Sequence, residues 1–400
     1  MLNQTKYLNI KVIYLYFNIV LLFLEKTRLI NENLYLLLIG INSILLLFLL
    51  FYSIEKLKNL GSTSLLSIIL FVLYCIISIG WSDYVKESSI EALKLCNIVL
   101  VLLFILTNES HSLKVIKSAM NIGVIVNLIF IILFPQYAID ITGEWKGIYY
   151  AKNTLASYLL LTFMINTYYY KVEKKYTFFY FVWSIILFYL IVRADSVAVI
   201  FLFVGFILIN LFLFLLLKIK NIKLKIATFF ILVGSVVLLI FPVYYLLNSL
   251  LTYLGKDITR LTGRDVIWDA VIQYSLKSPI VGHGYGGVWI ENGYLNSLLF
   301  RYMEGFSVFA AHNSFLDIFV NVGLVGVTIF LFIVGVFFIN SLKLYFKSNE
   351  YIYISLFIIT IVQNLTETRL ILYIPIYLFI FLYLTLSVTI KLSMAKKDKC

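Results

Sequence analysis

DSVAVIFLFVGFILINLFLFLLL, residues 195–217, has one charged side chain, Asp195 at its first position, and from there it stays apolar apart from Ser196 and Asn210. A hydrocarbon core about 30 Å thick is crossed by roughly 20 apolar residues in a helix. Water is absent there, so only helices and closed barrels satisfy their backbone groups. Barrel strands alternate apolar and polar residues, and this run does not. The stretch therefore reads as a membrane-crossing helix.

Working outward, similar runs lie near 8–24, 34–54, 64–81, 94–108, 114–134, 153–170, 177–193, 226–250, 314–340, 350–366 and 370–390. The 400-residue chain is 62% hydrophobic and 13% charged, with a mean hydropathy of +1.00, far from the composition of soluble domains. These features predict an all-α polytopic membrane protein of about twelve transmembrane helices. The fourth run is short, and the seventh and eighth are separated only by Arg193-Ala194-Asp195. The first run follows a lysine and lacks a small-residue cleavage site, so it reads as a retained helix and not a removable signal peptide. Nine helices fall in 1–250, a long loop in 251–313, and three helices with a basic tail in 314–400.

Cys75 and Cys96 lie in apolar runs and Cys400 is the last residue, which gives no disulfide framework or metal-ligand spacing. A formal charge of +12 would suggest nucleic acid in a soluble protein. Here the placement of the charge matters more than its sum, and no nucleic-acid partner is expected. Most of the basic residues fall in short connections on the side of the termini, which the positive-inside rule makes cytoplasmic. Every arginine (Arg28, Arg193, Arg260, Arg264, Arg301, Arg369) falls on the outer side, while the cytoplasmic side uses lysine alone. A guanidinium grips phosphate through parallel hydrogen bonds, whereas an ammonium is a compact charge suited to anionic lipid heads. The asymmetry points outward for phosphate chemistry.

The long outer loop is the soluble-like segment. Val266, Ile267, Ala270, Val271 and Tyr274 recur at helical spacing with Asp265, Asp269 and Gln273 on other faces, so an amphipathic helix is expected along the membrane surface, ending before Pro279. Gly282-His283-Gly284-Tyr285-Gly286-Gly287 superficially matches a dinucleotide fingerprint, but no strand precedes it and no helix clearly follows. Its glycines suit close approach to a bulky ligand, a tight turn, or simply a flexible surface loop. Ala311-His312-Asn313 stands directly before the tenth run. A boundary histidine is more often merely hydrogen-bonded than catalytic, but Asn313 adds a second polar group, and Gly323 and Gly326 permit close packing further along.

On these residues the chain resembles the O-antigen polymerase and O-antigen ligase superfamily. The resemblance rests on GRDVIWDAVIQYSLKSPIVGHGYGGVW (263–289) and AAHNSFLDIFVNVGLVG (310–326). It extends to IGWSDYVKESSIEALK (79–94), GIYYAKNTLASYLL (147–160), the Ser196 stretch and QNLTET (363–368). It implies a multi-pass enzyme of the bacterial cytoplasmic membrane, with both termini cytoplasmic, acting at the outer face on sugars carried by polyprenyl pyrophosphate, without a metal or other cofactor. It also implies membrane lipids, a flippase and a chain-length regulator as partners. Carried over residue by residue, it makes His312 and Arg264 catalytic, with Arg260 near enough to compete for the arginine's role. Family members often carry arginine directly after the serine that opens the eighth helix. Here Val197 follows Ser196, which leaves Arg193, one turn away, as the other candidate. Asn313, Asn153, Gly282, Gly284 and Glu367 are the further substrate-binding candidates. Glu367 and Arg369 either reach the same cavity or pair with each other.

The chemistry follows independently. A sugar on a lipid pyrophosphate has a good leaving group, so an acceptor hydroxyl displaces it when arginines hold the developing charge and a base takes the proton. A histidine with an ordinary pKa of about 6.5 suits that task. No Asp-x-Asp pair is present and the outer carboxylates are scattered, which argues against a metal. A flippase is the rival of another class, but its usual signs, broken helices and midplane charges, are scarce, with only four prolines in the chain. Polymerase and ligase differ only in the acceptor. The Lys, Ile, Asn, Tyr and Phe richness of an AT-rich genome favours polymerase, in a host lacking a lipopolysaccharide core.

Overall fold

The structure, a computed structural model, describes residues 2–51 except 26, 63–173 except 108, 177–231 except 222 and 230, 263–302 except 292, 308–370 and 375–397. In chain order the helices longer than one turn are α1 Leu2–Leu24, α2 Glu32–Phe51, α3 Thr63–Ile77, α4 Val85–Leu106, α5 Glu109–Leu133, α6 Lys152–Glu173, α7 Phe178–Arg193, α8 Val197–Leu216, α9 Arg264–Ser275, α10 Tyr294–Tyr302, α11 Ser314–Ser348, α12 Ile352–Thr366 and α13 Pro375–Lys397. Among the described residues there is no strand, only the isolated bridges Thr27–Tyr149 and Ile139–Trp145. Seven helical segments in this part of the chain are long and apolar enough to cross a membrane, and α7, α12 and Lys11–Leu24 of α1 are shorter apolar helices. This is a multi-pass, all-α membrane protein. The ninth expected run, 226–250, lies largely outside the described residues.

One run begins earlier than its hydropathy suggests. The fourth was expected from residue 94, yet α4 starts at Val85. Lys94 therefore sits inside the helix, where its ammonium is held by Glu25 at 2.8 Å and Glu91 at 2.7 Å. A charge of this kind is tolerated in an apolar bundle when paired and hydrogen-bonded. Beside it, the buried amides of Asn18, Asn42 and Asn97 join α1, α2 and α4 through bonds of 3.0 and 2.9 Å.

The central helix α6 is buried almost all round despite its polar content. Tyr158 donates to the Met120 carbonyl at 2.9 Å, Asn166 pairs with Asn121 at 2.8 Å, and the Tyr168 and Tyr353 hydroxyls meet at 2.7 Å. Its polar groups thus face neighbouring helices, in keeping with polar contacts as the glue between membrane helices.

Gly323 breaks α11: its φ of 62° and ψ of −168° are non-helical. The chain from Pro279 to Gly284 fits against this break. Leu324 N–H donates to the Pro279 carbonyl at 2.9 Å and Val325 N–H to the Ile280 carbonyl at 3.1 Å. In the reverse direction, His283 N–H donates to Val320 O at 3.1 Å and Gly284 N–H to Asn321 O at 2.9 Å. The backbone groups that the break releases are thereby re-paired within the protein, as irregular backbone in a membrane bundle requires. The glycine-rich stretch is accordingly no flexible surface loop, because Gly282 and Tyr285 to Val288 are buried. The close approach its glycines permit is to the protein itself: a Cβ on Gly282 would overlap the Asn321 carbonyl, and one on Gly284 the side chain of Ser82.

α9 forms where expected and ends before Pro279. Ile267, Ala270 and Val271 are buried against Leu295, Leu299 and Val320, while Asp265, Asp269 and Gln273 are exposed. Its apolar face is therefore packed on α10 and α11.

Candidate functional site

Glu367 follows α12 in extended conformation and is 7% exposed. Its Oε1 accepts from Arg264 Nη2 at 3.1 Å and from Asn153 Nδ2 at 3.2 Å. Its Oε2 lies 3.3 Å from His312 Nδ1 and accepts from Arg369 Nη2 at 3.3 Å. Four segments distant in sequence deliver these groups: Arg264 opens α9, Asn153 lies in the first turn of α6, His312 precedes α11, and Arg369 follows α12. Burial pushes the Glu367 carboxyl up, but the His312 hydrogen bond and the charges of Arg369, His312 and Arg264 outweigh it and hold the group below its ordinary range. One ionised carboxylate thus organises two guanidinium groups and an imidazole, and the cluster has a net positive charge even with His312 neutral.

His312 has a φ of 51°, an uncommon left-handed conformation for a non-glycine residue. Its neighbours hold it there. The Ala311 N–H donates to the Asp317 carboxylate at 3.2 Å, and Trp268 Nε1 donates to the Ala311 carbonyl at 2.8 Å. On the other side Asn313 caps α11, its side chain accepting from the N–H groups of Phe315 at 3.0 Å and Leu316 at 3.3 Å. With Nδ1 on Glu367, Nε2 has no partner among the described residues, and the side chain is 40% exposed. A carboxylate on one ring nitrogen fixes the tautomer and leaves the other nitrogen as a base.

The sequence-predicted residues fare differently. His312, Arg264, Asn153 and Glu367 converge, and Arg369 joins them. Arg369 both pairs with Glu367 and belongs to the cluster, so the two alternatives for these residues coincide. Arg193 goes elsewhere: its guanidinium stacks 4.9 Å from the Trp145 ring centroid. Arg260 lies outside the described residues. Gly282 and Gly284 shape the packing at the α11 break, and the Asn313 side chain is occupied as a cap. Among the described residues no three His, Cys, Asp or Glu side chains group as metal ligands would.

Sequence reasoning missed the scaffold behind the cluster. Asp317 is fully buried and accepts from Trp289 Nε1 at 2.6 Å, from the Ala311 N–H and from the Thr368 hydroxyl. Ser314 donates to Asn364 Oδ1 at 2.6 Å and accepts from the Arg369 N–H at 2.9 Å, which ties the chain after α12 to the start of α11. A signal was present, since Asp317, five residues past His312, is the one charged side chain in the run 314–340. Trp289→Phe keeps the ring and removes the charge-assisted bond, so a loss of about 1.5–3 kcal/mol is expected. Thermal melts in detergent check it, and an unchanged melting temperature would show the bond to be idle.

Arg369 is 6% exposed, and its Nε has no hydrogen-bond partner among the described residues. The Tyr377 ring centroid is 6.0 Å from the Arg369 guanidinium carbon.

Comparison with known proteins finds two partial matches. Residues 179–331, which contain Arg264 and His312, match the family model described as O-Antigen ligase. A 91-residue stretch is 33% identical to the exopolysaccharide production protein ExoQ of Rhizobium meliloti (strain 1021), covering 22% of this chain and 21% of that protein.

Proposed function

We propose that this chain, a member of the O-antigen polymerase and ligase superfamily, joins polyprenyl-pyrophosphate-linked oligosaccharide units into a surface polysaccharide by glycosyl transfer. The observation that carries the reading is the convergence of Arg264, Arg369 and His312 on Glu367. In this reading the cluster faces the outside of the bacterial cytoplasmic membrane, the termini face the cytoplasm, and the lipid carrier reaches the site from the bilayer. No metal is invoked. A flippase supplying the donor and a regulator of chain length fit as partners.

The step balances simply. The acceptor hydroxyl oxygen bonds to the anomeric carbon while the bond from that carbon to the pyrophosphate oxygen breaks. The electron pair leaves with the pyrophosphate, and the hydroxyl proton passes to His312 Nε2. Arg264 and Arg369 receive the developing negative charge, Arg369 through its Nε, which has no hydrogen-bond partner among the described residues. Asn153 holds the Glu367 oxygen that Arg264 shares, so the carboxylate stays fixed when the guanidinium groups turn to phosphate. The family description favours a second reading with the same groups, ligase-type transfer of a finished glycan to a lipid or protein acceptor. Analysis of which molecule carries the glycan separates the two.

Arg264→Ala tests the clamp. A charge-assisted contact of about 1.5–3 kcal/mol corresponds to a loss of roughly 10–150-fold. The expected result is accumulation of lipid-linked units in place of polymer. Normal polymer with no accumulation overturns the clamp.

A further inference from the structure

A cavity of ≈400 Å³ is lined among others by Glu25, Glu32, Tyr35, Lys94 and Tyr150. It has the size of a small-molecule pocket, and its lining mixes apolar side chains such as Leu24 and Ile30 with charged and polar groups. Its floor is the buried Lys94 ammonium, bound to Glu25 and Glu91, with the Tyr35 hydroxyl donating to Glu25 at 3.3 Å. At its mouth, Glu32 is 68% exposed and stands 3.9 Å from Lys94, too far to hydrogen-bond. The Tyr150 ring is 64% exposed, with the Arg28 guanidinium 5.2 Å from its centroid.

Two elements connect this cavity with the Glu367 cluster. Tyr150 lies one turn before Asn153, which donates to Glu367. Glu91, which holds Lys94, packs against Gly286 of the loop that fits the α11 break, so closely that a Cβ there would stand 2.5 Å from the Glu91 Cβ.

We propose that this cavity binds a sugar ring of the glycan, as a subsite separate from the pyrophosphate cluster; the proposal rests on the glycosyl transfer described above. Charge separates the two sites. Around Lys94 and Arg28, three carboxylates face two cations, so the cavity keeps a net negative charge that repels a pyrophosphate, whereas the Glu367 cluster is net positive and attracts it. A ring bearing many hydroxyls suits the cavity, because carboxylates accept from hydroxyls and an exposed tyrosine face covers the C–H side of the ring. A neutral or amino sugar is therefore the class of ligand expected, and an acidic sugar is disfavoured.

The test uses the full chain in detergent, with two probes: fragments of the host's surface polysaccharide from partial acid hydrolysis, read by saturation-transfer NMR, and inorganic pyrophosphate, read by calorimetry. Tyr150→Ala and Glu32→Gln change exposed side chains, so folding is retained. Each is expected to weaken fragment binding about tenfold or more while leaving pyrophosphate binding unchanged. Arg264→Ala is expected to do the reverse. Fragments that bind wild type and both cavity variants equally, or that do not bind wild type, overturn the subsite. Pyrophosphate that binds wild type and Arg264→Ala equally, while fragment binding still depends on Tyr150, overturns the clamp and leaves the subsite standing.

Discussion

His312→Ala is expected to lower polymer formation by about 10²–10⁴, the contribution of a positioned general base, while the protein keeps its amount and melting temperature. The imidazole is 40% exposed and its hydrogen bond is to a carboxylate that keeps three other donors, so its loss costs the fold little. Its loss removes the one group in the cluster with a nitrogen lone pair to take the proton, since guanidinium groups offer only donors and Glu367 is engaged on both oxygens. Membranes assayed with lipid-linked donor give the answer directly. Polymer of normal quantity and length from the variant would remove the imidazole from the mechanism. His312→Gln separates base from hydrogen-bond partner: an amide keeps a contact to Glu367 without proton transfer, so it should be as inactive as alanine.

How far this site was legible in the sequence depends on the physical scale of each feature. His312 and Arg264 stand in motifs, and their polar chemistry contrasts with an apolar chain, so they were visible residue by residue. Glu367 was visible as a candidate, but its place at the centre was not, because four segments meet there and no local pattern encodes their meeting. Arg193 shows the opposite case. Sequence distance placed it near the family's arginine, yet one helical turn redirects a side chain by about 100°, and Trp145 takes it up. The α4 boundary was missed because hydropathy treats Lys94 as a stop, whereas Glu25, remote in sequence, neutralises it. Asp317 was missed for a related reason: a carboxylate inside an apolar run counts against burial until Trp289, Thr368 and the Ala311 amide are known to surround it. Helix identity is a local property and was read well. Pairing of buried polar groups is a tertiary property and was not.

The break in α11 is the feature with the largest expected consequence for the fold. Gly323 was expected only to permit close helix packing, but its φ of 62° and ψ of −168° lie in a region that essentially only glycine occupies. Gly323→Ala adds a Cβ that overlaps the Ile280 carbonyl and the Gly282 amide, both backbone groups that cannot swing away. The strained conformation costs about 1–3 kcal/mol. Losing the four hydrogen bonds between the loop and the break adds about 0.5–1.5 kcal/mol each. Together the penalty is on the order of 5 kcal/mol, comparable with the whole stability of many domains. The expected result is little folded protein on gel filtration in detergent. Gly335→Ala in the same helix, where an added Cβ meets nothing within 4 Å, is expected to behave as wild type. A Gly323→Ala protein that melts like the Gly335→Ala control would show that the break is dispensable. If a little folded variant can be recovered, it should still be nearly inactive. The short first half of α11 carries Asp317 and presents His312, and a displacement of about 1 Å at such a site can cost on the order of 100-fold in rate. The glycine that bends the helix is therefore a determinant of where the base stands relative to Glu367.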